Sequence, residues 1–126
     1  MVRKTGKWDV RVPKAIKKLF PDRSKPYYWV VNKEKALDVV RIMAKAYKIH
    51  MPKVIVNTHL DCNALYRKNE IHMHTRNHIK SIMHEFYHHL DRCTDGAYNS
   101  SDRKGGSNSL SWKFADLWWV EFKKLY

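Results

Sequence analysis

The sequence predicts an α+β fold, a short three-stranded sheet flanked by helices, and three observations carry that prediction. Apolar residues recur at helical spacing over residues 33–48, 76–90 and 109–124. Between the first two of these lie three short runs with strand character, 53–57, 64–67 and 71–75. With 126 residues, of which 44% are hydrophobic, the chain suits one domain with a modest core and no disulfide staples. Residues 1–31 read as a basic N-terminal segment of that domain and residues 32–126 as its core.

The elements follow in order. Residues 12–20 form a short helix that must stop before Pro21, and Pro26 precedes an aromatic, extended run over 27–31. Asn32 is placed to cap the next helix, whose Ala36, Leu37, Val40, Ile42, Met43 and Tyr47 give it a buried face. Pro52 closes the connection to a buried strand over 53–57. Residues 64–67 and 71–75 make a hairpin about the polar turn Lys68-Asn69-Glu70, and the hairpin feeds directly into the helix 76–90. Residues 92–107 are rich in Asp, Gly, Asn and Ser and read as a loop. The last helix is apolar on most sides and must therefore be largely buried.

Charge is uneven. The first 48 residues hold 14 Lys and Arg against four acids, a balance of +10, whereas the remaining 78 carry +3. A basic segment interleaved with Trp8, Tyr27, Tyr28 and Trp29 suits a phosphate backbone with aromatics for stacking on bases, so DNA or another nucleic acid is a candidate partner. The alternative is a basic soluble surface with its aromatics in the core. No apolar run approaches the roughly 18 residues of a spanning helix, and residues 1–18 are polar and basic. An intracellular, cytoplasmic location without membrane contact is expected. Cys62 and Cys93 form no metal-knuckle or CxxC spacing and read as free thiols, a bridge between them being the alternative.

The residues with the clearest chemistry are His84-Glu85-Phe86-Tyr87-His88, an HExxH motif inside the helix 76–90. Two histidines four apart share a helical face about 6 Å apart along the axis, so both imidazoles can reach one Zn²⁺. Glu85 then stands beside the metal as a general base for a water of lowered pKa. Ile79, Ile82, Met83, Phe86 and Leu90 supply the core-facing stripe of the same helix.

Element order and motif together resemble the small zincin metallopeptidases and, in their brevity, the SprT-like group that includes the Spartan proteases. The resemblance covers residues 33–124, with His84, Glu85 and His88 matching by motif and the remainder by element order. It implies a zincin-like domain, zinc bound by His84 and His88, Glu85 as catalytic base, and peptide-bond hydrolysis in proteins bound or crosslinked to DNA. SprT-like proteins take a third ligand from a histidine after the HExxH helix, and no histidine follows His89 here; that place holds Gly106-Ser107-Asn108-Ser109. Gluzincins use a downstream glutamate instead. Glu121 is the only one, on a stripe with Phe114, Leu117, Trp118 and Leu125 where an unpaired carboxylate would be costly. It is the leading third ligand, a simple pair with Lys124 or Lys123 being the alternative. Asp116 is the second choice, and Asp91 suits an acceptor for the free N–H of a ligand imidazole.

The chemistry expected is hydrolysis of a peptide aligned along the 71–75 strand as a sheet edge, with Tyr87, Tyr98, His72 or His74 as the additional oxyanion donor. On that strand His72 and His74 share one face, and an exposed polar face is the favoured reading for them. Two other functions compete with a zinc endopeptidase. One is a nucleic-acid-binding protein on a zincin scaffold with an incomplete metal site. The other is a structural zinc closed by a fourth ligand such as His74 or Cys93.

Overall fold

The structure, a computed structural model, describes residues 10–20, 30–96 and 110–125. Trp8, Tyr27, Tyr28, Trp29, Tyr98 and the segment 106–109, all singled out from the sequence, lie outside the described residues. The fold is α+β. A short 3-10 helix, Lys14–Leu19, is followed by β1 (Val30–Val31), α1 (Lys33–Tyr47), β2 (Lys53–Val56), β3 (Ala64–Arg67), β4 (Glu70–Met73), β5 (Asn77–His78), α2 (Ile79–Cys93) and α3 (Leu110–Lys123).

Helix α1 begins where the sequence places it. Asn32 is extended and its side chain accepts from the Lys35 N–H at 2.9 Å, satisfying one of the donors that a helix start leaves open. Its C-cap, Lys48, adopts the left-handed conformation at φ 58°. The hairpin β3–β4 pairs Arg67 with Glu70 across Lys68 and Asn69, both at positive φ. That is the two-residue turn whose twist matches the flanking strands.

Strand order is β2-β4-β3, with β2 parallel and β3 antiparallel to β4. This corrects the expectation for residues 71–75. The hairpin pattern fixes that β3 and β4 pair but not the side on which β2 joins, and β2 adds to β4, leaving β3 as an edge among the described residues. His72 is accordingly buried and pairs through Nε2 with Glu70 at 3.0 Å, while His74 Nε2–H donates to the Cys62 carbonyl at 2.7 Å. Neither forms an exposed polar edge face.

Helix α2 starts at Ile79, three residues later than the apolar pattern suggests. Asn77 explains the delay. It is buried, donates to the Asn63 carbonyl at 2.6 Å, accepts from the His74 N–H at 2.8 Å and pairs in β5 with Val31 of β1. Held extended by these bonds, the chain turns helical only at Ile79, with His78 Nδ1 capping the Lys80 N–H at 3.1 Å.

Helix α2 is the hub, contacting α1, α3 and the sheet. Ile82, Met83, Phe86 and Leu90 are buried among Val40, Met43, Ile71, Met73 and Phe114 in one hydrophobic core. Ile16 and Phe20 extend it, the Phe20 ring meeting Phe122 edge-on at 5.5 Å. Among the described residues no helix is long and apolar enough to cross a membrane.

Candidate metal centre

The 3.6-residue period that buries Phe86 and Leu90 turns His84 and His88 to the flank of α2. They emerge in an open cleft of about 890 Å³ between α2 and the edge strand β3. Leu65, Tyr66 and Arg67 form one wall; His84, Glu85, His88 and Asp91 form the other. Ligand atoms of His84, Glu85 and His88 lie within 4.8 Å of one another, and His84 Nε2 is 3.6 Å from Glu85 Oε2. The two histidines are thus close enough together to reach one ion, with the Glu85 carboxylate beside them.

Burial sets the charge state of the group. His84 is pushed down to about 4, chiefly by desolvation and secondarily by the neighbouring His88. His88 is also lowered by desolvation, with the Asp91 carboxylate acting the other way. Both imidazoles are thus neutral at physiological pH, the state in which a histidine can bind a metal. Glu85 is pushed up to about 7 by burial, with the nearby Tyr66 backbone acting the other way.

His84 and His88 could hold a metal ion, on two grounds. Two neutral imidazoles beside a carboxylate match the ligand types zinc prefers. In addition, His84 Nδ1 is buried with no hydrogen-bond partner among the described residues, leaving one nitrogen of a site imidazole unsatisfied. The ring is held by Trp112, with centroids 4.2 Å apart, and Ser111 Oγ lies 3.5 Å from His84 Nε2. Both come from the first turn of α3.

Other residues singled out in the sequence stand elsewhere. The structure does not bring Glu121 to the group: it is exposed and accepts from Lys124 Nζ at 2.7 Å. The buried arc of α3 runs through Phe114, Trp118, Ser111, Phe122 and Ala115, so the true face is rotated away from Leu117 and Glu121. At about 100° per residue, Glu121 lies only some 20° from Phe114, just beyond the edge of that arc. Asp116 is exposed and pairs with Lys80 at 2.5 Å. Asp91 is buried on the cleft wall next to His88, and Tyr87 is buried against Phe114 with ring centroids 4.9 Å apart. Among the described residues no further His, Cys, Asp or Glu joins the group.

Sequence reasoning missed Ser111 and Trp112. Neither carries a motif. Cys62 and Cys93 are free thiols. Comparison with known proteins found no matching family model, no matching curated protein and no matching solved structure.

Proposed function

We propose that the protein is a zinc-dependent endopeptidase of the zincin type, hydrolysing an extended peptide held between β3 and α2. The observation that carries the reading is the gathering of His84, Glu85 and His88 within 4.8 Å on the wall of an open cleft that faces a sheet edge. His84 and His88 are the residues that would hold the metal. Zinc there would supply Lewis acidity, polarising the scissile carbonyl and making a water acidic enough to attack near neutral pH.

Glu85 is the base. A carboxylate lifted to about 7 by burial takes a proton far more readily near neutrality than an exposed glutamate does, and can return it to the leaving amine. Among the described residues strand β3 is bonded to β4 on one side only, so its other edge can receive a substrate chain as an added strand. Arg11, Lys14, Lys17 and Lys18 are exposed near the described N-terminal part, which supports proteins held on DNA as the substrate class.

The test is cleavage of an unfolded protein by metal-stripped and zinc-restored enzyme, with and without DNA. Activity should require zinc and fall roughly 100-fold or more in Glu85→Gln. Cleavage that survives chelation contradicts the reading. The placements of Glu121 and Asp116 favour a second reading, a nucleic-acid-binding protein with an incomplete metal site. It predicts weak zinc binding and salt-sensitive DNA binding that Glu85→Gln leaves unchanged.

A further inference from the structure

Helix α2 carries a second i, i+4 pair, His89 and Cys93, on a face other than that of His84 and His88. His50, in the connection between α1 and β2, lies over this pair. The ligand atoms of His50, His89 and Cys93 fall within 4.8 Å of one another. Cys93 Sγ is 3.5 Å from His89 Nε2 and 3.7 Å from His50 Nδ1, and the two imidazole rings meet edge-on at 4.8 Å. Around a tetrahedral zinc with ordinary bond lengths, a thiolate sulfur and an imidazole nitrogen stand about 3.5 Å apart. We propose that His50, His89 and Cys93 form a second zinc site, separate from the HExxH group, with three protein ligands and an open fourth position toward solvent.

The surroundings of His89 suit a ligand imidazole. Its Nε2 lies 2.7 Å from the His50 carbonyl, which only accepts, so without metal Nε2 carries the proton. Its Nδ1 is 2.9 Å from the Tyr66 hydroxyl, and that hydroxyl is 3.2 Å from Asn69 Oδ1. Coordination through Nε2 replaces that nitrogen's bond to the His50 carbonyl and moves the ring proton to Nδ1. Nδ1–H then donates to the Tyr66 oxygen and the Tyr66 O–H donates on to Asn69 Oδ1, a complete outer shell for the ligand. The Cys93 thiol gives its proton to solvent, so one proton is released for each ion bound. A thiolate with two imidazoles selects a thiophilic, borderline-soft ion, which favours zinc over magnesium or calcium. The ion would clip the segment after α1 to the last turn of α2, joining residues 39 apart in sequence.

The test uses the full chain, stripped of metal and titrated with Co²⁺, in a His84→Ala/His88→Ala background that removes the other site. A near-ultraviolet thiolate-to-cobalt charge-transfer band should develop with one equivalent of Co²⁺. It should vanish on adding Cys93→Ser, weaken sharply with His50→Ala and persist with Cys62→Ser. In the otherwise native chain, zinc stoichiometry should fall by one with Cys93→Ser, a measurement that serves if the double-alanine background does not fold. Absence of the band in a folded protein, its survival in Cys93→Ser, or a stoichiometry unchanged by Cys93→Ser overturns the proposal. A native chain that binds a single ion and shows the band would instead count against the HExxH reading and leave this site intact.

Discussion

Burial moves Glu85 and His84 in opposite directions, and the consequence is measurable without any catalytic assay. Glu85 in the metal-free fold is raised from 4.5 to about 7, so the native state binds its proton more tightly than the unfolded chain does. Below pH 4.5 the group is neutral in both states and costs nothing. As pH rises toward 7 the unfolded chain ionises first and stability is lost. Glu85→Gln should therefore make the metal-free protein more stable above pH 7, by on the order of 3 kcal/mol at most, with the gain vanishing below pH 4.5. His84 acts the other way: lowered from 6.5 to about 4, it withdraws stability as pH falls through that window. Urea unfolding of wild type, Glu85→Gln and His84→Gln between pH 4 and 8 measures both slopes. At the same scale, Glu121→Ala should leave zinc affinity unchanged and shift stability by no more than about 0.5 kcal/mol, because it pairs with the exposed Lys124. Calorimetric zinc titration of that variant checks the first part.

At the scale of elements, the side chain of Tyr66 links β3 to α2. The Tyr66 hydroxyl meets His89, so the strand that would receive substrate is registered against the helix that carries the motif. Tyr66→Phe strips the buried His89 Nδ1 of its partner and should cost about 1–2 kcal/mol, read as a lower urea midpoint with unchanged slope. The boundaries of β3 and the cap of α1 were legible in the sequence because local chemistry decides them: the Lys68-Asn69 turn and the Asn32 side chain. The start of α2 was not, since Asn77 is held extended by partners at Asn63 and Val31. The central place of β4 was equally hidden, because it depends on where β2 docks across a parallel crossover.

For the whole molecule, the HExxH pair could be found in sequence because one helical turn contains it. The remainder of the site could not, because it depends on how separate layers meet. The apolar pattern of α3 showed that the helix is buried but misplaced its inward face by a small rotation, enough to exchange Glu121 for Ser111 and Trp112 against His84. The cluster of His50, His89 and Cys93 was invisible for the same reason, as His50 comes from a connection 39 residues before His89. What the assembled fold provides is an edge strand, a cleft and a buried carboxylate beside two neutral imidazoles.

The most direct measurement is the rate of zinc-dependent peptide cleavage by wild type and Glu85→Gln at equal, independently measured zinc occupancy. The account predicts that both bind zinc at the HExxH group while the variant loses roughly 100-fold or more in rate. Equal rates at equal occupancy, or no cleavage by fully zinc-loaded wild type, would contradict it.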